Sequence, residues 1–225
     1  MNRALAIAVL TALAQPAAAA TVLHLSETAH VSVHPDELAG SLSLNATAAT
    51  PVAAQAQVNA GVAKALEQVK AAEGVTVSTG FYRVWQTVKP ANEWHASQQI
   101  ELKQKGDGAV LLKLLGTLQG QGLALQQLGW QVAPDTARRV QAEATRAALG
   151  RLRGRAEEAA EILGLRFISF REVTIEPGRP TPPPYPRAMA MAAGAEAAPP
   201  PNAEAADVEI EATVSAEAEL EPKTP

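Results

Sequence analysis

The chain of 225 residues contains no cysteine. Without it no disulfide can form in an oxidising compartment, so stability must come from packing, strand pairing or oligomerisation. The same absence excludes a lipoprotein, whose lipid is attached through cysteine. Aromatics are scarce, at 4% of residues. No concentrated basic patch is present, which makes nucleic acid a poor candidate partner. Gly-x-Ser-x-Gly is missing too, and Gly106-Asp107-Gly108 and Gly120-x-Gly122 lack the lysine and strand context of a phosphate loop. Those glycines read as turns.

The N-terminus has the layout of an export leader. Arg3 supplies a positive charge, Ala4 to Ala14 is apolar, Gln15-Pro16 breaks a helix, and Ala17 to Ala20 offers small residues to a signal peptidase. The apolar run has about 11 residues, whereas a bilayer span takes roughly 20. Residues 1–20 are therefore expected to be a signal peptide cleaved near Ala20, giving a soluble periplasmic protein with no stable membrane insertion. Removing Arg3 with the leader leaves 18 of the 19 Lys+Arg against 23 Asp+Glu, a net charge of about −5. Acid concentrates at the other end, where Glu196 onward holds eight carboxylates and the single Lys223.

Periodicity then orders the chain. Leu23, Leu25, Ala29, Val31 and Val33 alternate with polar residues as a half-buried strand, and Leu38, Leu42, Leu44 and Ala46 do the same after a turn at His34-Pro35-Asp36. These two runs are expected to form a long hairpin. Thr50 as N-cap and Pro51 at the first position open a helix that ends near Gly74. Val75 to Val88 reads as a strand whose apolar register changes near Gly80, which predicts a bulge. Lys89-Pro90-Ala91-Asn92 turns into a strand carrying Trp94, Ala96, Ile100 and Leu102. Asp107 is expected to cap a short leucine-rich helix over residues 110–118. Leu123 to Val132 is a strand with a register change between Leu125 and Leu128. Pro134-Asp135 starts the longest helix, with an apolar stripe of Val140, Ala144, Ala147, Leu152, Ala156, Ala159 and Leu163 that allows close approach to a sheet or helix. Leu165 to Ile175 is a further strand.

Six prolines between Pro177 and Pro186, then an Ala/Met stretch and Pro199-Pro200-Pro201, mark residues 177–205 as a Pro/Ala-rich insertion. Strict alternation resumes from Val208 to Leu220, adding a strand with a strongly acidic outer face. The order ββαββαβαββ predicts an α+β fold: a largely antiparallel sheet with two long helices and one short helix packed on it. Residues 21–220 are expected to form a single domain, with 221–225 as a tail.

This order resembles the SIMPL domain family, a domain of unknown function whose bacterial members include periplasmic immunogenic proteins. The likeness rests on the opening strand Thr21–Ala29 running into Val31-Ser32-Val33-His34-Pro35-Asp36-Glu37. It continues through the aromatic strand Gly80-Phe81-Tyr82-Arg83-Val84, the Arg/Ala-rich helix Ala137–Ala160, the strand Leu165–Phe170, the Pro-rich insertion and the strand Val208–Leu220. The glycines common in the family's first strand are Ser26 and Thr28 here, and the loop after Val88 is short. The resemblance implies a periplasmic or envelope protein that forms homo-oligomers, in some cases ring or channel-like, and is associated with stress tolerance. It transfers no catalytic residues.

The candidate chemistry in the residues is thin. His24, His30 and His34 share a strand face, but strand rise separates them by roughly 20 Å and 13 Å, too far to ligate one zinc ion. His95 and Ser97 cannot make a triad without a strained turn. Glu157-Glu158 and Glu209 with Glu211 sit on solvated faces. Arg138, Arg139, Arg146, Arg151, Arg153 and Arg155 are nearly balanced by acids on the same helix, so intrahelical pairing is expected, with the acidic last strand as a second partner. Phe81, Tyr82, Trp85, Trp94 and Trp130 read as core. No catalytic, cofactor-binding or metal-ligating residue is assigned, and no cofactor. Two functions remain: a non-enzymatic oligomeric envelope scaffold, with itself or other envelope proteins as partners, or a periplasmic binding module for a small ligand or peptide.

Overall fold

The computed structural model describes residues 21–89, 92–178 and 205–223. The leader 1–20, Pro90 and Ala91 of the turn, and most of the 177–205 insertion lie outside the described residues. The order is β1 (Thr21–Val33), β2 (Glu37–Ala48), α1 (Pro51–Lys70), β3 (Val75–Thr87), β4 (Glu93–Lys105), α2 (Ala109–Gln119), β5 (Ala124–Gln131), α3 (Pro134–Ile162), β6 (Leu165–Pro177) and β7 (Val208–Pro222). The α+β class and the ββαββαβαββ order stand. The strands divide between two sheets, β1-β7-β6 and β3-β4-β2-β5.

That division overturns the expected β1–β2 hairpin. The link between the two strands is committed elsewhere. Pro35 has no N–H to give a ladder and is buried. The Asp36 carboxylate accepts from the Ala133 N–H at 2.7 Å and the Thr136 hydroxyl at 2.7 Å, while its carbonyl accepts from the Gly106 N–H at 3.0 Å. These bonds tie the expected His34-Pro35-Asp36 turn to the segments at Gly106 and at Ala133 to Thr136.

By contacts the chain forms two compact units. One comprises, of the described residues, 30–89, 92–144, 177–178 and 205–212. In it β2 pairs antiparallel with both β4 and β5, and β4 pairs antiparallel with β3. One face of this sheet is covered: Val58, Val62 and Val69 of α1 and Leu111, Leu115 and Leu118 of α2 pack on Leu38, Leu42, Ile100 and Leu102. Thr50 caps α1 as expected, its Oγ1 accepting from the Ala53 N–H at 3.3 Å. The α2 cap differs from expectation. Gly108 holds the N-cap position at φ 71° with no side-chain bond of its own. Asp107 instead accepts from the Ala109 N–H, and the buried Gln104 reaches from β4 to accept from the Leu111 N–H at 2.7 Å.

The other unit comprises, of the described residues, 21–29, 145–176 and 213–223. Ala148 and Leu152 of α3 pack on Ala29, Val214 and Ala216, and Ala156 and Ala160 on Ala218 and Leu220. The buried positions of α3 are Val140, Ala144, Ala148, Leu152, Ala156 and Ala160, a constant step of four. The expected stripe mixed steps of three, four and five: it placed Leu163 wrongly, while Ala147 and Ala159 are half-buried beside the line and Ala147 packs against the core. Leu163 is exposed. A four-residue step drifts by about 40° on a helix of 3.6 residues per turn, so the alanine line winds slowly round α3. Small side chains permit the close approach to β7 that the composition suggested.

Two substitutions test this framework. A Cβ on Gly108 would meet the buried Leu38 side chain at 2.6 Å, at a positive φ that disfavours L-residues. Gly108→Ala should therefore lower unfolding free energy by about 1–3 kcal/mol, measured by urea titration. Burial acts to raise the Asp36 carboxyl, but the bonds from Ala133 and Thr136 outweigh it and hold the group below its ordinary value. A lowered folded value means a stabilisation complete above the unfolded carboxylate range and lost as pH falls through the folded value, below about pH 4. Asp36→Asn should flatten the acid limb of the urea midpoint against pH; a limb identical to that of the parent protein would refute the assignment.

Candidate functional surfaces

The four-stranded sheet leaves its second face open, and register decides what stands there. Cross-strand partners share a face, so Trp85–His95–Thr47 form one row across β3, β4 and β2, and Arg83–Ser97–Asn45 the next. Gln99 with Ser43, and Glu101 with Ser41 and Gln127, continue the series. Two bulges set this content. In β3 the register shifts between Thr79 and Tyr82, at the predicted place. Before the shift Thr76 and Ser78 pair with Lys103 and Glu101; after it the parity flips, and Arg83 and Trp85 join the open face. In β5 the shift lies between Leu125 and Gln127, again as predicted, leaving Gln126 as the extra residue.

The flip corrects the reading of the aromatics. Trp94 and Trp130 do pack against the core, but Phe81 is 84% exposed and Tyr82 and Trp85 are also exposed. Trp85 stacks on His95 with centroids 5.1 Å apart and planes 15° from parallel, and the Arg83 guanidinium lies 5.2 Å from the Trp85 ring centre. His95 Nδ1 is 3.0 Å from the Thr47 hydroxyl. On the same face Gln99 donates to Ser41 Oγ at 2.6 Å and Gln126 to Ser43 Oγ at 3.0 Å. These groups border a trough of about 680 Å³ lined by Ser41, Ser43, Asn45, Phe81, Arg83 and Gln126 among others. A parity count through the bulge is the signal that would have found it.

The second surface is the ladder between β1 and β7. His24 lies 3.5 Å from Glu217, His30 3.7 Å from Glu211 and His34 2.9 Å from Asp207. Thr28 bonds Thr213 at 2.8 Å, and Ser215 donates to Ser26 at 3.0 Å. Each step of two along β1 matches a step of two back along β7, which defines an antiparallel register. The acidic face of β7 thus meets the histidine face of β1, a pairing that alternation alone did not reveal.

The arginines divide. Arg153 pairs within α3 with Glu157 at 2.8 Å, as expected. Arg155 instead binds Glu27 of β1, and Arg151 donates to the Thr28 carbonyl, so β1 and not the acidic β7 receives them. Gly106, Gly108 and Gly122 are turn residues with positive φ. Among the described residues no group of three or more His, Cys, Asp or Glu could hold a metal ion, and no helix is long and apolar enough to cross a membrane.

Two antiparallel sheets, a helix-covered face on the larger one and a polar open face with exposed aromatics define an α+β protein built around strand surfaces. The chain belongs to the SIMPL family, described as a protein of unknown function (DUF541), whose model matches residues 23–218. A comparison with curated proteins found no match.

Proposed function

We propose that this SIMPL protein is exported to the bacterial periplasm and works there, without enzymatic activity, as a self-associating envelope scaffold linked to stress tolerance. The observation that carries the reading is β6. It is an outer strand of 13 residues, and it exposes Ile168, Val173 and Ile175 at 40%, 44% and 47%. An outer strand presents unpaired N–H and C=O groups, and β-branched side chains beside them favour pairing with another strand. The neighbouring Ile162 and Leu163 at the end of α3 are exposed as well. With no cysteine to staple the fold, association is an available source of stability. The family resemblance supports the same reading, and the Arg3–Ala20 leader supports the address. A second reading, a ligand-binding module, draws on the polar trough beside Phe81.

Light scattering on the chain from Thr21 onward should give a multimer at micromolar concentration; a clean monomer would sink the scaffold. Ile168→Lys with Ile175→Lys should shift that multimer to monomer and leave the circular dichroism spectrum unchanged. For the address, protein expressed with its leader should be recovered from the periplasm with its first residue within two positions of Thr21. Recovery from the cytoplasm with Met1 intact would refute export.

A further inference from the structure

The trough on the open face of the four-stranded sheet is chemically unlike an ordinary solvated strand face, which mixes charges of both signs. Gln99, Gln126, Gln127 and Asn45 supply carboxamides, Ser41, Ser43 and Ser97 hydroxyls, and Arg83 is the sole charged residue in its larger part. A carboxamide has two donor protons and an acceptor oxygen. Gln99 spends one N–H on Ser41, which fixes the amide and keeps its oxygen and second N–H for an occupant, while Gln126 donates to Ser43 and to the Ala124 carbonyl and offers its amide oxygen. Groups that both donate and accept are the natural complement, and hydroxyls do so in pairs. The exposed Phe81 adds a ring face whose negative quadrupole attracts polarised C–H bonds. Hydroxyl edges and C–H faces on one molecule describe a sugar.

Charge narrows the class further. Arg83 is held by its stack on Trp85 and pairs with no carboxylate among the described residues. From His95 to Lys103 the open face runs about 27 Å by strand rise, longer than one small molecule needs. We propose that this trough binds a glycan strand bearing carboxylates, its hydroxyls on the carboxamides, a C–H face on Phe81, and a carboxylate on Arg83. The site uses no residue of β6 and does not depend on self-association.

Calorimetry on the chain from Thr21 onward tests this with three probes: oligogalacturonate, a neutral chito-oligosaccharide and polyglutamate. Oligogalacturonate should bind most tightly. Arg83→Gln should weaken it about tenfold, the scale of a lost charge-assisted bond, and leave the neutral glycan unaffected. Phe81→Ala and the pair Gln99→Ala with Gln126→Ala should weaken both glycans. On the unsubstituted protein, oligogalacturonate should shift amide resonances of residues 41–45, 81–85, 95–101 and 124–131. No binding at millimolar oligogalacturonate, equal binding of polyglutamate, shifts confined to other residues, or binding unchanged in all the variants would each overturn the proposal. So would a change of oligomer mass on Phe81→Ala, since a second copy would then be the occupant.

Discussion

One carboxylate fixes the layout of the larger unit. Asp36 receives the N–H of Ala133 just before α3 and the hydroxyl of Thr136 in its first turn, while its backbone carbonyl takes the N–H of Gly106 in the turn before α2. Two segments distant in sequence are thereby held at the link between β1 and β2. Each bond satisfies a group that the ends of helices and strands otherwise leave without a partner. With the Asp36 link tied in this way, β1 belongs to the sheet with β7 and β2 to the sheet with β4 and β5.

Features written in local sequence were legible. Thr50-Pro51 specifies a helix start through one hydroxyl and one fixed φ. Val208 to Leu220 alternates without error, and its buried and half-buried positions follow suit. Both bulges showed as changes of apolar parity. Partner choice was not legible, because strand faces carry no address: β1 joins β7 through residues as far apart as Thr28 and Thr213. The α2 cap was hidden for the same reason, since Gln104 acts from another element.

The candidate site was half legible. The bulge at Gly80 was seen, but its consequence for Phe81 and Trp85 requires following parity past the bulge with β4 as reference. Aromatic residues on a strand are usually core, and that expectation prevailed over the count. An exposed Phe81 beside carboxamides is what distinguishes this face from the leucine-lined one behind it.

The place of β7 in its sheet has a kinetic consequence. It lies between β1 and β6, yet it follows β1 by more than 170 residues of chain. Neither outer strand has its neighbour until the segment beyond the proline-rich stretch has been made. Loop closure over such a distance precedes any reward in contacts and slows folding. A ribosome-bound chain would therefore carry β1 and β6 unpaired, along with the alanine line of α3 that β7 covers. That delay is confined to the three-stranded sheet, since β2, β3, β4 and β5 are all made before α3 begins and can pair without β7.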